Sequence, residues 1–428
     1  MSWNVKNMMQ SELVRNSARL LSANVVAQAI GLLVFPILSR IYAPENFGLL
    51  NLFFSIGGIL VLLSTAEYQN AIVLPREEER ARSLVHVCAI LLLVLTSLLI
   101  CSIPFAQPIA SLFNTPDLAC WWWMMPIYVL ALGGWQTVRN ILLRHKAFGN
   151  LSGYQYTQSI LNAAGKCGFG AVGFLSGGLI VSSVLAPLLS LGISIGVAWK
   201  KVFRPLGGLD KNACLNEAKN YINFPCYSLP RSLVNNISSN LPILLLTPVF
   251  GLTEIGLFGM ALTLSFIPLN LIVQSVYQVL FQHSAQLVNE RKRIDFLWTR
   301  FALRAFLVLI PSFALLYAVV PTLTAWLLGD EWRVSGEYIR LMLPWLLMVT
   351  VTGSMGFLSD IFAKQHVALG IEIVYLTVRV AVLAIGMALH DFRLTILLYS
   401  IAGTVVITGQ LLWFRILIRN YHRSLEAD

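Results

Sequence analysis

The chain has 428 residues, of which 57% are apolar and only 12% charged. A soluble chain carries roughly 25% charged residues, so this composition excludes a soluble enzyme, a nucleic-acid-binding protein and a disordered segment. The net charge of +10 fits a membrane protein whose Lys and Arg gather in the loops of one side, and the continuous apolar runs, which do not alternate with period two, argue against a β-barrel.

Residues 1–14 are polar, and the apolar run behind them is too long for the core of a cleavable signal. The first span is therefore expected to stay in the membrane. At about 20 residues per crossing, the pattern predicts twelve helical spans: 15–38, 47–66, 83–105, 119–143, 152–175, 179–203, 226–249, 256–283, 297–320, 336–362, 367–389 and 393–417. Connections such as Ala43-Pro44-Glu45-Asn46 and Ser176-Gly177-Gly178 are short. The stretch 204–225 sets Lys211, Glu217 and Lys219 among apolar residues and reads as a short amphipathic surface helix. It divides the chain into an N-terminal lobe at 1–203, a linker at 204–225 and a C-terminal lobe at 226–428. The expected fold class is an all-α polytopic membrane protein of two six-helix lobes.

Charge fixes the expected orientation. Basic clusters at 6–19, 76–82, 144–146, 200–219, 291–300 and 415–423 fall on one side of the twelve-span pattern, with Arg40, Arg333 and Arg393 on the other. The basic side is the cytoplasmic one, which puts both termini there. A repeat runs through the chain. Ser39 to Leu49 aligns without gaps on Thr247 to Leu257, matching Gly48 to Gly256 at an offset of 208. Both pieces enter from the same side, as in parallel repeats about an axis along the membrane normal, which usually enclose a central cavity.

Ionisable and amide groups inside spans face a cavity or a partner, because hydrocarbon solvates neither. Span 1 carries Asn24 and Gln28. Span 5 carries Gln155, Ser159, Asn162 and Lys166, spaced so that all four share one helical face. Lys166 is about 14 residues into its span, roughly 21 Å at 1.5 Å per residue. Span 7 carries Arg231, Asn235 and Ser239 on one face, with Asn236 and Asn240 beside them; span 11 carries Glu372 and Arg379 with Tyr375 between. Glu67 closes span 2, and Arg139 and Asn140 lie in the inner part of span 4. Lys166, Arg231 and Arg379 against Glu372 make a net-cationic set suited to phosphate or acidic sugars; the competing reading is that each charge pairs structurally with a neighbour. Arg40 reads as an interface anchor and Trp121-Trp122-Trp123 as an aromatic belt. Pro36, Pro126, Pro242, Pro248, Pro268, Pro311 and Pro344 are expected to interrupt their spans. The six cysteines show no CxxC pair, and no catalytic motif or metal-ligand spacing is present. The expectation is a protein that is not an enzyme and holds no cofactor or metal.

Local sequence adds a resemblance. Tyr221 to Leu246, with Phe224-Pro225, Pro230-Arg231, Asn235 and Leu241-Pro242, resembles the start of the second lobe of bacterial polysaccharide flippases. These are the Wzx-type, O-antigen and capsule repeat-unit transporters of the multidrug/oligosaccharidyl-lipid/polysaccharide superfamily. The stretches Leu38 to Gly48, Ala71 to Glu79 and Phe250 to Gln282 are similar to that family as well. The resemblance covers about 20–290 well and implies a transporter of the bacterial inner membrane. Its substrate would be an oligosaccharide on undecaprenyl pyrophosphate, flipped from the cytoplasmic to the periplasmic leaflet by alternating access. Membrane lipids and a polysaccharide polymerase or ligase would be its partners, with no nucleic acid. Carried onto this chain, the head group would meet Lys166, Arg231 and Arg379, with Asn162, Asn235, Gln155, Asn24 and Gln28 beside them. Coupling to H+ or Na+ would fall to Glu372 and Glu67. The segment Glu67-Tyr68-Gln69-Asn70 departs from the family in holding one acid and two amides. A drug exporter of the same superfamily and a lipid II-type flippase stay open as alternatives, ahead of a membrane glycosyl polymerase.

Overall fold

The computed structural model describes the backbone of residues 2–175, 177–199, 208 and 210–427, and among these the side chains from 22 to 426. Ser176 of the predicted turn, the predicted loop residues Lys200, Lys201 and Arg204, and the side chains of Lys6, Arg15 and Arg19 lie outside the described residues. No strand occurs among the described residues. Nine helical segments among them are long and apolar enough to cross a membrane. The protein is a multi-pass membrane protein. The chain forms two compact units, Met1–Gly256 and Leu257–Asp428.

The first unit opens with α1 (Ser2–Ile41) and α2 (Pro44–Thr65), which begins on a proline at no cost to its hydrogen bonding. Two left-handed residues, Ala66 and Glu67, stop α2, and a 3-10 turn covers Tyr68–Val73. Then come α3 (Glu78–Cys101), α4 (Ala106–Leu112), α5 (Pro116–Trp121), α6 (Met124–Arg144), α7 (Phe148–Ala171), α8 (Gly178–Ala198), α9 (Lys211–Asn220) and α10 (Leu229–Asn289). Residues 229–256 of α10 belong to this unit.

Several expected boundaries move. The span expected at 119–143 is broken at Trp122-Trp123, and Pro126 falls in the first turn of α6, where it kinks nothing. The aromatic-belt reading fits only Trp123, which is 46% exposed. Trp122 is buried and donates Nε1–H to Ser102 Oγ at 2.9 Å, while Trp121 packs edge-on against Phe174. The spans expected at 226–249 and 256–283 are joined, with a break at the single residue Gly251 (φ 80°, ψ 176°), a conformation a Cβ would forbid.

At this break the offset of 208 returns in space. A Cβ on Gly48 would strike the backbone of Leu252, and a Cβ on Gly256 the backbone of Pro44. Between these contacts Thr253 donates its hydroxyl to Glu45 Oε1 at 3.0 Å. The contacts pair 48 with 252, 45 with 253 and 44 with 256, and a Cβ on Gly256 would also meet the Gly48 backbone nitrogen at 3.0 Å, so the two aligned stretches cross at their glycines, backbone to backbone.

The loops carrying the basic residues are pinned as well as charged. The Arg144 guanidinium donates to the carbonyls of Ile72 and Pro75 at 3.1 and 2.6 Å and pairs with Glu78 at 3.1 Å, fastening the 72–78 loop to the end of α6. Asp210 caps α9 by accepting from the backbone N–H groups of Asn212 and Ala213. Glu217 then pairs with Arg80 at 2.9 Å, and Tyr68 donates to the Ala218 carbonyl at 2.9 Å, so α9 docks on this unit.

The second unit holds residues 257–289 of α10, a π-helical turn Leu297–Ala302, α11 (Leu303–Leu328), α12 (Arg333–Gly353), α13 (Leu358–Ile361), α14 (Gln365–Leu389) and α15 (Phe392–Ala427). The span expected to reach 362 stops at Gly353, and most of the expected outer stretch 321–335 is helical. Here His422 fastens the 290–295 loop: it accepts from the Ile294 N–H at 3.1 Å and meets Asp295 at 2.9 Å.

In both units large apolar side chains point outward. Leu33, Leu98 and Val197 are 74%, 61% and 72% exposed, and Leu307, Leu315 and Val405 are 65%, 68% and 65% exposed. In water each would forfeit about 1.5–3 kcal/mol of burial, and in lipid nothing. Inside, small residues bring helices close: a Cβ on Gly133 would strike Ser64, and one on Gly386 would strike Thr395. Many hydroxyls here bond back to their own helix, as Ser182 does to the Gly178 carbonyl at 2.6 Å.

Candidate functional site

Buried polar atoms without a partner occur in both units, and two of them lie at a polar cavity of the first. A cavity of about 410 Å³ opens between α1, α6 and α7, lined by Asn24, Trp135, Arg139, Tyr154, Gln155, Gln158 and Ser159 among others. Helical spacing assembles it. Trp135 and Arg139 lie four apart on α6, and Gln155, Gln158 and Ser159 three and four apart on α7, so each helix offers one polar stripe. The Trp135 and Tyr154 rings stack face to face, 3.3 Å between centroids and 5° from parallel. That stack forms one wall.

Two atoms in this wall are buried with no hydrogen-bond partner: Gln155 Oε1 and the Tyr154 hydroxyl. Leaving such a group unsatisfied costs about 1–3 kcal/mol, so both are poised for a polar ligand or water. No carboxylate lines the cavity, which leaves Arg139 as its charge. The site can thus receive an anion at Arg139 and accept or donate hydrogen bonds along Asn24, Gln155, Gln158 and Ser159.

Of the residues singled out in the sequence, this cavity unites Asn24, Arg139, Gln155 and Ser159. Gln28 is half-buried one turn along α1 and does not line it. Further along α7, Asn162 Oδ1 faces the Ser183 hydroxyl of α8 at 3.5 Å. Lys166 is half-buried, and its backbone carbonyl accepts from the Tyr42 hydroxyl at 2.8 Å, tying α7 to the end of α1. Arg231 and Asn235 are exposed on the first turns of α10. Their neighbours Asn236 and Asn240 face the other way: Asn240 donates to the Asn236 carbonyl at 2.9 Å and accepts from Ser55 at 3.1 Å, fixing α10 on α2.

Glu67 is 5% exposed, and its carboxylate accepts from the side-chain amides of Gln69, at 3.2 Å, and Asn70. The two amides that replace charge in this segment thus wrap the one acid at its left-handed turn. In the second unit Arg379 is 9% exposed, its guanidinium 3.7 Å from the Tyr375 ring centroid and 5.4 Å from that of Tyr399. Trp345 lies edge-on to Tyr399 and closes this aromatic cage. Glu372 is half-buried on the same helix. Sequence reasoning passed over Trp135, Tyr154 and Gln158, and noted Arg139 without ranking it. The Trp135–Arg139 spacing on span 4 was the available signal.

Residues 37–337 match a family described as polysaccharide biosynthesis protein. The chain belongs to this family. The succinoglycan biosynthesis transport protein ExoT of Rhizobium meliloti (strain 1021) is 23% identical over 313 residues, which cover 72% of this chain and 60% of that protein. The chain thus spans about three fifths of the length of this curated relative. Among solved structures, the lipid II flippase MurJ in an inward closed conformation superposes with a TM-score of 0.72 at 14% identity, over 95% of this chain and 91% of that one. An inward-facing multidrug resistance MATE family transporter of the MOP superfamily gives 0.65 at 15% identity, over 94% and 95%. At such identity these two share the fold. The all-helical fold expected from the sequence is the fold of these two structures.

Proposed function

We propose that the protein flips a lipid-linked oligosaccharide, a short sugar unit on undecaprenyl pyrophosphate, between membrane leaflets for surface polysaccharide synthesis. The observation that carries this reading is the polar cavity of the first unit, lined by amides and one arginine inside a protein whose outer surface suits lipid. Sugar hydroxyls call for amide and aromatic partners, and a pyrophosphate calls for a cation; the cavity offers both. Family membership and the transport role in that relative's name support it, as does the lipid II flippase among the structures of like fold. A drug exporter taking cations would want an acid where Arg139 stands.

In this reading the chain makes twelve spans in two lobes joined by the 204–225 linker, lies in the bacterial inner membrane with both termini cytoplasmic, and works by alternating access. Arg139, Lys166 and Arg231 are the cations for the head group, with Asn24, Gln28, Gln155, Asn162 and Asn235 as hydrogen-bonding partners. Coupling to H+ or Na+ falls to Glu372, since Glu67 is committed to Gln69 and Asn70. A polymerase or ligase takes up the flipped unit. The test is a strain lacking the gene: the intact chain should restore surface polysaccharide and clear the lipid-linked intermediate from the cytoplasmic leaflet. Restoration by Lys166→Ala, Arg231→Ala and Arg139→Ala together would sink the cationic-site assignment, and a strain with normal polysaccharide and altered drug resistance would sink the function.

A further inference from the structure

A second opening, wholly within the second unit, has a different chemistry. It is a cleft of about 490 Å³ whose lining includes Arg300, Arg304, Ile272, Val308, Thr350 and Ser354. Arg300 lies in the π-helical turn Leu297–Ala302, and Arg304 follows at i+4, so both guanidinium groups share one face. Turns of this kind are often found at functional sites. No carboxylate lines the cleft. The two hydroxyls in it are spent on their own helix: Thr350 donates to the Leu346 carbonyl at 2.7 Å and Ser354 to that of Thr350 at 2.9 Å. The cleft therefore offers cations and apolar walls, with no free hydroxyl donor on Thr350 or Ser354.

Its walls belong to the lipid. Almost none of the span formed by the π turn and α11 is buried inside the protein, and Ile272 and Val308 are 50% and 65% exposed. Arg304 is roughly 10 Å along that span from Leu297 at 1.5 Å per residue, near one end of its 32 residues. An arginine here reaches a phosphate readily and water poorly.

We propose that this cleft binds an anionic phospholipid from the bilayer, its phosphate between Arg300 and Arg304 and an acyl chain along Ile272 and Val308. Charge decides the class of occupant: two guanidinium groups beside apolar walls, with no carboxylate among the lining residues, match a phosphodiester with a chain. The assignment does not depend on what the protein transports.

The test uses the full-length protein in detergent, with native mass spectrometry against added phosphatidylglycerol and phosphatidylcholine. Phosphatidylglycerol should be retained and raise the thermal midpoint, and phosphatidylcholine should do neither. R300Q/R304Q should weaken retention roughly thirtyfold, about one surface cation's attraction per arginine, and abolish the thermal shift. R300K/R304K should keep most of the retention, so a poorly folding glutamine variant leaves a second reading: lysines that fail to retain the lipid overturn the proposal. Val308→Trp should block the cleft with both arginines present. Equal retention by wild type and R300Q/R304Q, or equal retention of the two lipids, would overturn it. So would displacement of phosphatidylglycerol by substoichiometric undecaprenyl pyrophosphate, which would make the cleft a site for the carrier.

Discussion

Each unit holds an arginine inside its helices, and the two are treated differently. Arg379 is sheathed: 9% exposed, flat on Tyr375, beside Tyr399, in a wall closed by Trp345. Arg139 is exposed into a cavity that also holds a buried amide oxygen and a buried hydroxyl without partners. Aromatic faces satisfy a cation without any ligand. Orphaned polar atoms do the reverse and store a cost that a ligand can relieve. Buried polar atoms without a partner, Trp345 Nε1 and the Tyr375 hydroxyl, occur at the cage as well, so the difference lies in access: charge within a span marks a site where a cavity reaches it, as at Arg139, and not where rings enclose it, as at Arg379.

The comparison breaks first, and hardest, at Arg379. Replacing it by alanine removes a desolvated ring contact worth about 2 kcal/mol and opens a void among the rings. Arg379→Ala should lower the thermal midpoint and the amount of protein in the membrane, and lose surface polysaccharide in proportion. Arg379→Lys should recover only part, because an ammonium cannot lie flat on Tyr375. Normal abundance with transport lost would move Arg379 from the frame to the site.

Arg139→Gln should give the opposite pattern: about a tenfold loss of transport, the value of one charge-assisted hydrogen bond, at unchanged abundance and midpoint. Glu67→Gln comes next. Its carboxylate holds two amides at a turn where Ala66 and Glu67 both have positive φ. The neutral variant should cost about 1 kcal/mol, seen as a small fall in thermal midpoint, with transport per molecule intact; a changed ion dependence would return Glu67 to coupling.

Much of this was legible in the sequence. The apolar runs predicted an all-helical membrane fold because a helix in lipid must close its own hydrogen bonds. The offset of 208 reappears as the Gly48–Leu252 and Gly256–Pro44 contacts. The stripe through Gln155 was visible because helical period alone puts Gln155 and Ser159 on one face. Its partners were not, since Arg139 and Trp135 reach it by the packing of α6 on α7, which one helix's periodicity does not encode. Trp122 was misjudged for the same reason: an indole N–H that finds Ser102 twenty residues away is a tertiary fact. Gly251 hid because one residue of unusual φ, with no polar loop around it, suffices to break α10.

The smallest effect is the most discriminating. Tyr154 is 3% exposed and its ring is stacked on Trp135, yet its hydroxyl has no partner. Tyr154→Phe keeps the ring and the stack and deletes only the oxygen. If that hydroxyl is there for the fold, its removal costs stability. If it is held for a ligand, removal relieves a desolvation cost, and the midpoint should stay level or rise by up to about 1 kcal/mol of stability while transport falls modestly. At Tyr375 the hydroxyl is likewise buried without a partner, but there the ring face holds Arg379, and phenylalanine should retain most of that contact. A higher midpoint joined to weaker transport at Tyr154, against no loss of transport at Tyr375, would set the open cavity apart from the closed cage; a lowered midpoint at Tyr154 would make the two sites alike.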